Sequence, residues 1–147
     1  MRFVIESKIR SLASAHSRSA LLILYAVLLA SCSTAAPAGD PIAVAFERRQ
    51  SDVRVEGEGK VVRTLPDDNA GSRHQRFVVR LSSGQTVLIQ HNTDVASRID
   101  VLKAGDVVSF SGEYVWNEQG GLVHWTHHDP AGRHQAGWIK LNDRIYQ

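Results

Sequence analysis

Hydrophobic positions along the chain fall into two regimes. An unbroken apolar run from Ala20 to Ala30 lies near the start, whereas from Asp52 onward apolar residues recur at the short spacing of half-buried strands. Val53, Val55, Val61 and Val62 belong to a β-branched run ending at Leu65. Gly57 and Gly59 interrupt it, and glycines inside a strand point to a bulge or tight bend. Pro66 to Ser72 (PDDNAGS) reads as a loop. His74 to Leu81 then alternates, with Gln75, Phe77, Val79 and Leu81 on one face and His74, Arg76, Val78 and Arg80 on the other. Ser82-Ser83-Gly84 turns the chain into Gln85 to His91, the second arm of a hairpin. Asp106 to Trp116 is a further strand, with Val108, Phe110, Tyr114 and Trp116 opposing Ser109, Ser111 and Glu113. After a turn at Asn117 to Gly121, Leu122 to His127 reads as a fifth strand, and Gly137 to Tyr146 as a closing hairpin turning at Asn142-Asp143. Helical spacing occurs twice: in residues 41–51 (Ile42, Phe46, Arg49) and in residues 92–105 (Val95, Ile99, Leu102, ended by Gly105).

Three strands, a short helical connection and two more strands are the order found in OB-folds, and LKAGDVVSFSGEY resembles the stretch entering strand four of many such domains. The expected fold class is all-β: a small five-stranded OB-like barrel with a short helical connection and a C-terminal hairpin. A small sandwich is the alternative.

Arg2, Lys8, Arg10 and Arg18 precede the apolar run, giving the basic and hydrophobic regions of an export signal. Eleven apolar residues are too few for a membrane span, which takes about 20. The run ends in Leu29-Ala30-Ser31-Cys32, which resembles a bacterial lipobox. That resemblance implies lipidation of Cys32, cleavage before it and acylation of the new N-terminus. Ser33, standing where Asp would direct otherwise, implies the outer membrane by the same resemblance. The expected organisation is a signal peptide over residues 1–31, the lipidated Cys32 with a tether over 32–51, and the barrel domain over 52–147. The partner expected first is therefore a membrane, reached through the lipidated N-terminus, with the domain facing the periplasm.

Cleavage also changes the charge. The full chain has 17 basic and 15 acidic residues, and the signal removes four basic residues and Glu6, leaving 13 against 14. The basic balance belongs to the signal, so nucleic acid is an improbable partner. Cys32 is the only cysteine, which excludes an intrachain disulfide.

Six of the seven histidines fall in the mature domain: His74, His91, His124, His127, His128 and His134. Spacing alone does not make a metal site of them. On a strand His124 and His128 would sit about 13 Å apart, too far for two Zn–N bonds of about 2.1 Å. Gly120-Gly121, Val123, Thr126 and Pro130 argue against a helix that would bring them together. In an OB-like topology, however, strands three and five run parallel side by side. His74, His91, His127, His128 and Asp129 then collect at one barrel end, with Asp67, Asp68 and Asp94 in the loops there and Arg73 and Arg76 nearby.

Three chemistries fit that set. His91, His127, His128, Asp129 and His134 could hold a divalent metal such as zinc that activates water. His74, His91 and His128, with Arg76 stabilising anionic charge, could run acid–base catalysis on a phosphodiester. The same groups could bind a small polar or anionic ligand without turnover. Plainer roles compete with each. His74 could be a solvated strand-face residue, His124 a hydrogen-bonded wall residue, and Asp129 a turn former capping backbone amides. Asp67-Asp68-Asn69 suits a polar turn better than a calcium loop, and Trp116, Trp125 and Trp138 suit a core.

GSRHQRF, GQTVLIQHN and HWTHHDPAGRHQAGW resemble an uncharacterised bacterial family, domain of unknown function 3465, over residues 55–147. The resemblance implies no established activity, and it makes the histidine-rich segment look like a family hallmark. The leading expectation is an envelope lipoprotein whose OB-like domain binds a metal or a small polar or anionic ligand. A hydrolase of phosphodiester or glycan material, and an adaptor with no small-molecule site, are the alternatives.

Overall fold

A computed structural model describes residues 39–147. The expected export signal and Cys32 lie outside these residues. Helix α1 (Pro41–Glu47) opens the described chain. The Asp40 carboxylate caps it by accepting the Ile42 N–H at 2.9 Å, and Pro41 occupies the first turn, where its missing N–H costs nothing. Ile42 and Ala45 are buried, and Phe46 stacks on Trp116 with ring centroids 6.4 Å apart. The Trp116 indole N–H donates to the Phe46 carbonyl at 3.1 Å, fastening the helix to the sheet. No helix among the described residues is long and apolar enough to cross a membrane.

The remaining elements are strands: β1 (Val53–Asp68), β2 (His74–Leu81), β3 (Thr86–Asn92), β4 (Val107–Val115), β5 (Leu122–His124), β6 (Trp138–Leu141) and β7 (Arg144–Tyr146). They form one sheet in the order β1-β2-β3-β5-β4-β6-β7, and β1 also pairs with β4, so five strands close a ring. The all-β class therefore stands. β1 can serve both neighbours because it is long and bent: Val53–Lys60 pair with β4, while Gly59–Asp68 pair with β2. The β1–β2 register slips between Val61 and Arg63, just past the glycines. The alternation in β2 plays out as its sequence predicts, with Gln75, Phe77, Val79 and Leu81 all buried. β3 and β5 run parallel, Leu88 opposite Leu122 and Ile89 opposite Val123. β6 and β7 form the closing hairpin.

Three expectations need correction. Pro66–Asp68, read as the start of a loop, continue β1 past an irregularity between Leu65 and Asp68, so the loop begins only after Asp68. The connection over residues 92–105 is not helical; it is a series of turns. Its backbone is taken up by side chains: the Gln75 amide bonds both the N–H (2.9 Å) and the carbonyl (3.0 Å) of Ile99, and Asp106 accepts the Lys103 N–H. Such bonds offer the chain an alternative to the helical ladder. Ile99 and Leu102 still bury themselves, so their apolar spacing reflects anchoring rather than a helical face, and Val95 stays exposed. The fifth strand stops at His124 instead of His127. The next residue, Trp125, has φ of 50°, which ends an extended conformation.

Candidate functional site

The early end of β5 creates the site. β5 pairs with Glu113–Val115 and β6 with Val108–Ser111 of the same β4, both antiparallel. They are two halves of one line along β4, and residues 125–137 loop out between them. The Gly137 N–H donates to the His127 carbonyl at 2.8 Å and closes the neck. Only glycine fits at two points there. A Cβ at Gly112 would collide with the His124 carbonyl, and one at Gly137 with the carbonyls of Trp125 and Ser111. Inside the loop the Asp129 carboxylate collects the N–H groups of Ala131 (2.9 Å), Arg133 and His134 (3.1 Å). Arg54 reaches over from β1 to donate to the Gln135 and Ala136 carbonyls and to the Ser111 hydroxyl. The result is a compact loop with pinched ends, a type of segment that is frequently functional.

This loop holds Trp125 in the left-handed backbone region, a strain of about 1–2 kcal/mol for a residue with a Cβ. Its indole lies among imidazoles, with ring centroids 3.9 Å from His134, 5.4 Å from His124 and 5.6 Å from His127. His127 meets His134 edge-on at 5.3 Å. Across from the loop, His74 begins β2 and pairs with Asn92 at the end of β3. Between these elements is a pocket of about 220 Å³ lined by Ser72, His74, Asn92, His124, Trp125 and His127.

Hydrogen bonds fix the imidazole tautomers. Nδ1 lies 2.7 Å from the Ser72 carbonyl in His74, 2.7 Å from the His128 carbonyl in His127 and 3.0 Å from the Gln135 carbonyl in His134. A carbonyl only accepts, so Nδ1 carries the proton in each, and Nε2 of the neutral ring keeps its lone pair. In His74 and His127 that lone pair belongs to a residue lining the pocket. His124 Nε2 and His134 Nε2 are buried without a hydrogen-bond partner, 3.4 Å from Glu113 Oε1 and 3.6 Å from Asp129 Oδ2 respectively. Burial lowers the pKa of His124, and neighbouring Glu113 works against that shift. For Asp129, burial favours the neutral acid, yet the backbone N–H bonds and His134 hold its carboxyl below the usual range.

His91 has the opposite arrangement. It is fully buried, with Nε2 at 3.2 Å from the Ser97 carbonyl and Nδ1 at 2.9 Å from the Thr126 hydroxyl. Nε2–H therefore donates and Nδ1 accepts, leaving neither nitrogen for a ligand. Burial pushes its pKa down to about 4. His91 acts as a neutral clasp between the β3–β4 connection and the root of the loop.

The site residues nominated from sequence thus separate. His74 and His127 meet at the pocket, joined by His124. His91 adjoins through Thr126 but is not part of the lining. His128 is exposed, Asp129 organises the loop, and His134 packs on Trp125. Arg76 donates to the Pro66 carbonyl at 3.0 Å, and Arg73 pairs with Asp94 at 2.6 Å. Among the described residues no group of three His, Cys, Asp or Glu side chains is placed to hold a metal ion. Sequence reasoning assigned Trp125 to the core, whereas it is half-buried and lines the pocket, and it passed over Ser72 and Asn92. Asn92 was reachable, because the Ser82-Ser83-Gly84 turn sets the hairpin register that puts it opposite His74. Nothing in the sequence announced the backbone of Trp125.

A family model described as "Protein of unknown function (DUF3465)" matches residues 24–147. No curated protein and no solved structure matches.

Proposed function

The chain belongs to the DUF3465 family, and we propose that it is an envelope lipoprotein whose domain is OB-like and binds a small polar ligand at the histidine pocket. The OB-like reading draws on the ring order β1-β2-β3-β5-β4 and on the parallel β3–β5 pairing. The lipoprotein reading draws on the basic residues, the short apolar run and Cys32. Outer-membrane placement with the domain in the periplasm belongs to the same proposal.

One observation carries the binding reading: a strained aromatic residue, Trp125, is held by a braced loop in a pocket that three imidazoles share. Strain of this kind persists where the surroundings over-determine it, and it concentrates at functional sites. The lone pairs of His74 and His127 and the Asn92 and Ser72 side chains supply the few convergent polar groups that orient a ligand. A small polar ligand is preferred over a metal because, among the described residues, no three His, Cys, Asp or Glu side chains are placed to hold one ion. A hydrolase reading keeps one specific support, the pocket-lining His124 with Glu113 Oε1 behind it at 3.4 Å, an imidazole with a carboxylate to orient it.

The test is native mass spectrometry of the detergent-solubilised protein purified from its own envelope. A bound small-molecule mass in the wild type that is lost in His74→Ala and His127→Ala supports the reading. A ligand retained by both variants, or no ligand in any preparation, contradicts it.

A further inference from the structure

The pocket lining has a chemical character that narrows its ligand; this inference rests on the binding reading proposed above. None of Ser72, His74, Asn92, His124, Trp125 and His127 carries a fixed charge. His74 and His127 bring acceptors, because their Nδ1 protons are committed to the Ser72 and His128 carbonyls. Asn92 brings donors: its carbonyl oxygen already accepts the Asp94 N–H at 2.9 Å, leaving the NH₂ group. Ser72 contributes a hydroxyl that both gives and takes.

Each simple class of ligand can be set against that inventory. An anion only accepts, so it would face the Nε2 lone pairs with no Arg or Lys in the lining to offset them. An ammonium group only donates, and would leave the Asn92 donors without a partner in the ligand. A hydroxyl group both donates and accepts, and several on one ring satisfy His74, His127, Asn92 and Ser72 together. Trp125 adds a flat apolar wall suited to the C–H face of a saturated ring. The volume, about 220 Å³, falls below the range of about 300–1,000 Å³ typical of drug-sized ligands, which suits one ring within the lining. From this we infer that the pocket takes a single neutral sugar ring, stacked on Trp125 and hydrogen-bonded by His74, His127 and Asn92.

Such a ring could be a free monosaccharide or the terminal residue of a glycan, and the test separates the two. The full chain, lipidated and purified in a detergent without sugar groups, is ¹⁵N-labelled. It is titrated with D-glucose, N-acetylglucosamine and the N-acetylglucosamine trimer, and in parallel with inorganic phosphate, methylammonium and zinc chloride. The Trp125 indole N–H and the Asn92 side-chain amide are the reporters. A saturable shift of both with a sugar is expected, weakened roughly tenfold in Trp125→Leu, read at Asn92, and in His127→Leu, read at Trp125. Binding of the trimer at least as tight as that of N-acetylglucosamine assigns the glycan terminus, and binding of a monosaccharide with the trimer rejected assigns a free sugar. Shifts with phosphate, methylammonium or zinc but with no sugar overturn the sugar inference and leave the pocket as a ligand site. Reporters that stay still with every probe overturn both.

Discussion

At the scale of single residues, the division between His91 and the pocket histidines is the most consequential feature. In the unfolded chain His91 titrates near 6.5, and in the folded domain near 4. The unfolded state therefore takes up the proton first. The contribution of neutral His91 is complete above pH 6.5 and is lost as the pH falls through that value toward 4, amounting to about 3 kcal/mol. His124, also lowered by burial, acts in the same direction. Urea unfolding followed from pH 8 to pH 4 should show stability dropping across this window, with a shallower drop in His91→Leu. That variant should also lose about 1–3 kcal/mol at pH 8, because Thr126 and the Ser97 carbonyl lose their partner. An unchanged slope would remove His91 from this role. Trp125 gives a second residue-scale prediction. Both Trp125→Gly and Trp125→Ala lose the indole packing and the binding at the pocket, but glycine adopts φ of 50° without strain, so the Gly variant should be the more stable of the two by about 1 kcal/mol in denaturant unfolding. The histidine-rich segment was conspicuous in the sequence, but the tautomers were not. They depend on which carbonyl each Nδ1 meets, and those carbonyls belong to turns that have no periodic signal.

At the scale of elements, the looped-out segment between β5 and β6 depends on its neck. Gly137→Ala drives a Cβ into the backbone carbonyls of Trp125 and Ser111, and neither atom can rotate away. A loss of roughly 2–4 kcal/mol in denaturant unfolding is expected, against about 1–2 kcal/mol for Gly132→Ala, where nothing lies within 4 Å of the added carbon and only the left-handed backbone, φ of 65°, opposes a side chain. Asp129→Ala should act locally. Hydrogen exchange at Ala131, Arg133 and His134 should accelerate while β2 and β3 keep their protection. The strands that alternate cleanly, β2 above all, were legible because one face is buried and the other is not. The end of β5 was not, because Thr126 and His127 continue a plausible strand and only Gly112 on the partner strand opens the gap. The residues 92–105 misled for a related reason: Ile99 and Leu102 anchor irregular chain at a spacing that a helix would also use.

At the scale of the molecule, a ring of five strands carries α1 on one part of its wall and the braced loop on another. The Asp40 cap lies within 3.4 Å of Ser83 in the β2–β3 turn, whereas the pocket uses the opposite ends of those strands, His74 and Asn92. The described chain thus begins at the end of the β2–β3 hairpin remote from the pocket. Growth on labelled palmitate should mark the wild-type protein and not Cys32→Ser, and that variant should leave the membrane fraction. Ring closure could be argued from strand count and order, but the double pairing of β1 rests on its bend at Gly59 and Lys60, which strand propensity alone does not specify.

His74 and His127 hold Nε2 lone pairs at their shared pocket, whereas both nitrogens of His91 are engaged. Long-range ¹H–¹⁵N spectra of the imidazole rings near pH 8 report this difference. The expected result is the Nδ1–H tautomer for His74 and His127 and the Nε2–H tautomer for His91. Finding Nε2–H in both His74 and His127 would contradict this arrangement, because the pocket would then present donors where acceptors are required.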